Sequence, residues 1–300
     1  MTGSGVVNTR AKRTTERVSG KVLPGCKKTY SPMNNPPRII TLTTDFGTSD
    51  AYVGVMKGVI LGINPNVQIV DITHGVPPQD IHEAAFLIHS AYRYFPEGTI
   101  HTVVVDPGVG SDRGAIVCQT ERASFVCPDN GILTYLLSEI ENEEGQSGDV
   151  VAIQNRDYFL PEVSNTFHGR DIFAPVAAHL SVGVPLADIG PPVEGLVRLP
   201  IQIPQIFGNT LTGQIVKIDK FGNAITNIPE DALPTSASTY EIQIGQMCLT
   251  RINRAYAESE VGEVLAIVGS FRMLEIAING GSAADRFGLK RGDAVIIRRD

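Results

Sequence analysis

Hydrophobic positions follow one rhythm as far as about residue 190 and another beyond it. Regular patterning starts at Arg38, after Pro36-Pro37. Ile39-Ile40-Thr41-Leu42-Thr43-Thr44 is a β-branched run that predicts a strand ending at Asp45. Tyr52, Val55, Met56, Val59, Ile60 and Ile63 then recur at helical spacing, predicting one apolar helix face. A strand is expected over 67–72, a helix over 80–94, and a strand over 99–105 that ends at Asp106. Residues 114–119 and 124–128 suit a hairpin; Asp129-Asn130-Gly131 opens a helix over 132–141, and 168–180 is helical again. Strands alternating with helices predict an α/β domain with a central, largely parallel sheet.

Beyond Gly190 the rhythm shortens. Pro191-Pro192, Pro200 and Pro204 mark a linker-like stretch. Short β-type runs follow at 211–219, 240–244, 246–251, 264–268, 274–278 and 294–298, with little helical periodicity. That texture predicts a smaller β-barrel or sandwich. The expected organisation is a leader (1–37), an α/β domain (38–192) and a β-barrel domain (205–300).

Composition narrows the function classes. The 300 residues are 42% hydrophobic and 19% charged, enough apolar material for a sizeable core, which excludes a wholly disordered chain. No apolar run approaches the ~18 residues of a membrane span, so no membrane partner is expected. The net charge of −7 conceals an asymmetry: residues 1–37 hold seven Lys/Arg and one acid, Glu16, leaving the remainder at −13. An acidic body is a poor generic nucleic-acid binder. The basic head has no apolar segment of the secretory kind, and its Ser/Thr/Gly/Pro content favours disorder. The four cysteines form no CxxC pair, which disfavours zinc and suits a reducing, cytoplasmic setting.

Two strands of the first domain end in an aspartate followed by a glycine-rich turn: Asp45-Phe46-Gly47-Thr48 and Asp106-Pro107-Gly108-Val109-Gly110. Ligands of open α/β sheets bind beyond such strand ends, and a carboxylate there can accept two ribose hydroxyls. Either aspartate alone reads sooner as a turn cap; two in one domain, with glycines allowing close backbone approach, favour a ligand site. Arg113, seven residues after Asp106, is either a surface arginine or folded back onto that carboxylate. His168, in Thr166-Phe167-His168-Gly169-Arg170-Asp171, is a candidate base or water ligand, or a capping histidine. Arg170 and Asp171 read as structural neighbours at a helix start. In the second domain, Asp219-Lys220-Phe221-Gly222-Asn223 suits a hairpin turn, while Gly269-Ser270-Phe271, Glu275 and Asn279-Gly280-Gly281-Ser282 offer backbone amides for a nucleobase edge.

Taken in order, Thr44-Asp45-Phe46-Gly47, Val105 to Gly110, Pro128-Asp129-Asn130-Gly131, Phe167 to Asp171, Asp219 to Asn223 and Asn279 to Ala284 resemble the S-adenosyl-L-methionine hydroxide adenosyltransferases, relatives of the fluorinase and chlorinase enzymes. The resemblance spans about 39–300. It implies an α/β domain plus a C-terminal β-barrel, and a homotrimer with sites between one subunit's first domain and its neighbour's second. The implied reaction is attack of water or hydroxide on ribose C5′ of S-adenosyl-L-methionine (SAM), giving adenosine and L-methionine without metal or organic cofactor. It assigns Asp106, Arg113 and His168 to the water. Asp45 would hold the ribose hydroxyls, with Asp50 also among the substrate contacts, and Phe167 would lie near the adenosine. Asp219 and Asn223 would meet methionine or the adenine neighbourhood, Phe221 would stack on the base, and Ser270, Asn279 and Gly280 would read methionine and adenine. Glu275 falls in the same region.

Three alternatives stand beside this expectation. A halogenase of the same superfamily is disfavoured because the Asp106 carboxylate would repel a halide, and because His168-Gly169 departs from the Tyr-Ser pair associated with fluorinases. A metal-dependent hydrolase would use Asp45, Asp106, His168 and Asp171, but no local ligand pair supports it. A non-catalytic adenosine or SAM sensor would not need Asp106, Arg113 and His168 together.

Overall fold

The computed structural model describes residues 38–142, 148–233 and 240–299. The leader expected at 1–37 lies outside them. Six strands build the first sheet: β1 (Ile39–Thr44), β2 (Gln68–Thr73), β3 (Thr99–Val104), β4 (Ala115–Thr120), β5 (Ala123–Pro128) and β6 (Gly148–Ala152). Their spatial order is β2-β1-β3-β5-β4-β6. The first four run parallel, and the β4–β5 hairpin reverses direction to leave β4 and β6 antiparallel. β3 and β5 are buried along their whole length, as strands covered on both faces must be.

Helices cover both faces. α1 (Tyr52–Ile63) and α4 (Ala174–Ser181) pack on one side around Ile40, Leu42, Met56, Ile60 and Phe173. α2 (Ile81–Ala91) and α3 (Thr134–Asn142) pack on the other around Ile88, Phe125, Ile132 and Leu136. The chain leaves β1 for β2 on one side and returns to β3 on the other side of β1. The crevice between the carboxyl ends of β1 and β3 is therefore a topological switch point. Thr44 pairs with Val104 there, so Asp45 and Asp106 stand just past the matched ends.

Two local expectations change. The apolar face expected for α1 is offset: Val53, Met56 and Ile60 are buried, whereas Tyr52 and Val55 remain 50% and 40% exposed. Only one narrow stripe of α1 meets the sheet, and Tyr52 turns to the rings of Phe46 and Phe167 instead. The helix expected over 168–180 begins as a π-turn, Gly169–Phe173, before α4. Pro175 enters at the start of α4, where its missing N–H disturbs the regular ladder.

The second region is a curled half-barrel sheet. Its strands are β7 (Gln205–Phe207), β8 (Thr210–Ile218), β9 (Ala224–Pro229), β10 (Tyr240–Ile244), β11 (Met247–Leu249), β12 (Ile252–Asn253), β13 (Val264–Val268), β14 (Met273–Ile278) and β15 (Ala294–Arg299). The order is β11-β10-β15-β8-β9-β14-β13-β12, with β7 on β8. Inward-facing Leu211, Ile215, Ile228, Ile242, Ile276 and Ile297 fill it. A register shift between Ile215 and Lys217 bends β8 and helps the sheet curl. The described residues between 38 and 299 pack as one unit. Ion pairs Lys217–Glu83 and Arg291–Asp80 join α2 to the second sheet, and Phe86 meets Phe271 edge-on at 5.3 Å.

One core feature makes stability pH-dependent. His101 is fully buried on β3, stacked on Phe125, with Nδ1 2.7 Å from the Thr41 hydroxyl. Burial, reinforced by Arg122, pulls its pKa down to about 4. The unfolded chain then binds the extra proton first, so stability should fall as pH drops from the ordinary histidine value of about 6.5. The loss should reach about 3 kcal/mol near pH 4. Denaturant unfolding across that window should show this slope, and His101→Phe should flatten it. An unchanged slope in the variant would refute the assignment.

Candidate active site

The loop after β3 turns back on itself at Gly108 to Gly110, and this brings Arg113 onto Asp106. Nε of Arg113 donates to both carboxylate oxygens at 2.9 and 3.0 Å, and Nη2 donates to Oδ2 at 2.5 Å. Both side chains are nearly buried, at 12% and 5% exposure. The multiple charge-assisted bonds offset part of the desolvation penalty of such a pair. The guanidinium also lies over the ring of Phe173 at 5.4 Å.

His168 completes the cluster from the opposite loop. Its Nδ1 lies 2.8 Å from Arg113 Nη2. A guanidinium can only donate, so Nδ1 is the acceptor and the neutral ring carries its proton on Nε2. Burial first, then the Arg113 charge, lower the pKa of His168; Asp106, Asp171 and a backbone hydrogen bond at Ser164 offset part of that. With Nδ1 taken by Arg113, the ring of His168 has an Nε2–H left to offer. The acceptor oxygens of the cluster belong to Asp106, which takes its hydrogen bonds from Arg113.

Asp45 sits at the start of the turn after β1, where Oδ2 accepts the backbone N–H of Gln79 at 2.8 Å. Gln79 has φ 65°, a left-handed conformation costly for a non-glycine residue, so the loop before α2 is held in place against Asp45. Phe167 packs edge-on against Phe46 at 5.7 Å and Tyr52 at 5.1 Å, forming an aromatic wall beside the trio. Asp50 is exposed and bonds only weakly, to its neighbour Ser49.

A second cluster lies on the half-barrel. Asp219 accepts the backbone N–H of Phe221 and of Asn223 at 2.8 and 2.9 Å, and the Asn223 amide at 3.0 Å. Asn223 also donates to the Tyr256 hydroxyl at 3.4 Å. Glu275 is buried beside them; burial, then the Asp219 charge, push its pKa up. A side chain at Gly269 would displace the Glu275 carboxylate from its place, so glycine there leaves room for it. Phe221 is 64% exposed with Lys220 over its ring, and Ser270 is exposed on the turn before β14. Asn279 donates to the Ser259 carbonyl at 2.8 Å, and Gly280 follows with φ 76°.

The chain thus assembles two half-sites. Among the described residues, no hydrogen bond, ion pair or ring contact joins the Asp45, Asp106, Arg113, Phe167 and His168 group to the Asp219, Phe221, Asn223, Ser270, Glu275, Asn279 and Gly280 group. Nor do the four residues of the metal alternative converge: Asp171 turns to Ser164 and Arg170, and Asp45 to Gln79. Sequence reasoning passed over Phe46, Tyr52 and Tyr256. Tyr52 was visible only as a helix-face residue, and Tyr256 lies in a segment without periodicity.

Residues 40–190 match the SAM hydroxide adenosyltransferase N-terminal domain, and 213–296 match the corresponding C-terminal domain. The chain belongs to the SAM hydroxide adenosyltransferase family. It is 38% identical to a Salinispora tropica (R)-S-adenosyl-L-methionine hydrolase, over 87% of this chain and 98% of that protein. A crystal structure of an uncharacterized conserved protein from Thermotoga maritima superposes with TM-score 0.79 at 38% identity, covering 87% of this chain and all of that one. A fluorinase from Actinoplanes sp. is more distant, at 28% identity over 89% of this chain and 99% of that protein.

Proposed function

We propose that this protein hydrolyses SAM to adenosine and L-methionine by in-line attack of water on ribose C5′. The observation that carries the reading is the half-buried Asp106–Arg113–His168 trio at the switch point, in a chain whose relatives are named as hydrolases of this substrate. The C5′–S bond breaks toward sulfur, which leaves as a neutral thioether, so no acid need protonate the leaving group. Water forms the new C5′–O bond and its proton passes to the Asp106 carboxylate and then to solvent. His168 Nε2–H orients the oxygen, and Arg113 holds the Asp106 carboxylate in place. Positioning of this kind contributes about 7–11 kcal/mol, and a base adds about 10²–10⁴ in rate. The sulfonium arrives activated, so the chemistry calls for no metal or organic cofactor.

The separation of the two half-sites supports a homotrimer in which each site takes Asp45 and the trio from one subunit and Asp219, Phe221 and Asn223 from its neighbour. Tyr52 and Val55, exposed on α1, suit such an interface. We place the domain boundaries at 38–192 and 205–300 and the protein in the cytoplasm, in keeping with free, buried Cys118 and Cys127. The Asp106 carboxylate disfavours a halide nucleophile.

Incubation with SAM, followed by chromatography, should show adenosine and methionine in equal amounts. The (R) and (S) sulfonium epimers should be supplied separately, because the relatives' names specify (R). Binding of both epimers without turnover would refute the hydrolase. Chloride-dependent 5′-chloro-5′-deoxyadenosine would make it a halogenase.

A further inference from the structure

Asp171 is a fully buried carboxylate in the π-turn that follows His168. Its Oδ2 accepts the Ser164 backbone N–H at 2.8 Å and the Ser164 hydroxyl at 2.7 Å. Its Oδ1 accepts Arg170 Nε at 2.5 Å. Its own carbonyl accepts Leu160 N–H at 2.9 Å, and its N–H donates to the Phe167 carbonyl at 3.1 Å. Burial alone would raise this carboxyl, but the bonds from Arg170 and Ser164 outweigh it and hold the pKa low. A charge at this depth is tolerated only because every contact is a donor.

Those contacts run towards the reacting groups. The Ser164 hydroxyl, having given its hydrogen to Asp171, accepts the Phe167 N–H at 3.1 Å. The Arg170 guanidinium lies over the Phe167 ring at 5.2 Å. Phe167 carries the aromatic wall and His168 is the next residue. On the far side, the Asn165 carbonyl presses against Gly110, in the loop that delivers Arg113. One buried carboxylate therefore fastens the strap 160–168 against both halves of the trio.

We propose that Asp171 is a positioning residue of the reaction, acting through Ser164 to hold the strap so that His168 Nδ1 stays on Arg113. The role in turnover rests on the hydrolase reading above; the placement of the His168 ring does not. Asp171 touches neither water nor substrate in this arrangement, so its effect is carried by geometry.

The test uses the full-length protein with Asp171→Asn, Ser164→Ala and Ser164→Thr. Ser164→Ala leaves the Asp171 charge in place, which separates strap release from electrostatics. Adenosine release should give kcat lower by about 10- to 100-fold in Asp171→Asn and Ser164→Ala, the scale expected for a misplacement near 1 Å. Ser164→Thr, which retains the hydroxyl, should stay within about threefold of the parent, since the bridge to Phe167 N–H is kept. Nitrogen-15 NMR of the His168 ring should show one tautomer, protonated at Nε2, in the parent and in Ser164→Thr. In Ser164→Ala it should show mixed tautomers and titration nearer the ordinary histidine value. A lower melting midpoint with parental kcat and an unchanged ring signature would make Asp171 purely structural and overturn the proposal. Failure of Ser164→Thr to restore the parental ring signature would overturn it as well. If the parent does not turn over SAM, the hydrolase reading fails, and the ring signature still decides the positioning role.

Discussion

Replacing Asp106 with asparagine is expected to lower turnover by about 10²–10⁴-fold while affinity for SAM changes only a few-fold. The reason lies in what each trio member can do with a proton. Arg113 has no lone pair to offer, and His168 has its free nitrogen occupied by Arg113. Asp106 alone combines acceptor oxygens with a place at the end of β3. Asparagine keeps the volume and one acceptor oxygen but removes the charge. It also leaves the buried guanidinium without its counter-ion, so the melting midpoint must be followed beside kcat. Calorimetric affinity and adenosine release, measured on the same preparation, separate the two effects. Parallel losses in affinity and kcat/KM would mean that Asp106 only holds the substrate.

Gly110→Ala should be nearly as damaging, although Gly110 has no chemistry of its own. Its φ of 78° disfavours any side chain, and a Cβ would stand 2.3 Å from the Asn165 carbonyl oxygen. The Asp106–Arg113 loop and the His168 strap would have to separate. A displacement near 1 Å costs about 100-fold in rate when the reacting groups lie on either side of it. The sheet lies outside this contact, so the circular dichroism of the variant should match the parent while kcat collapses. Parental turnover in Gly110→Ala would show that the two loops need not touch for catalysis.

Much of this was legible in the chain. The run ending at Asp45 and the run ending at Asp106 announced two strands with carboxylates at their tips, because a sheet buried on both faces leaves little choice but β-branched residues. The return of Arg113 onto Asp106 was an open alternative, since spacing permits a contact without choosing it. The tautomer of His168 was not legible at all. It depends on a donor 55 residues away in sequence, brought near by the packing of α4 against β3. The offset face of α1 was misjudged for a similar reason: periodicity identifies an apolar stripe, but Phe46 and Phe167 decide where Tyr52 goes. Asp171 looked like an ordinary helix-start acid because the four hydrogen bonds its carboxylate accepts come from Arg170 beside it and from the strap before it.

The ion pairs that fasten α2 to the half-barrel have a consequence for the whole assembly. Asp80 caps α2 immediately after Gln79, whose N–H holds Asp45, and Arg291 grips Asp80 from the turn before β15. Lys217, paired with Glu83, lies two residues before Asp219. In the proposed trimer, a subunit's Asp45 and its own Asp219 serve different substrate molecules. Each subunit is then a strut spanning two neighbouring reaction chambers. In that arrangement these ion pairs are the links through which one chamber would sense the next.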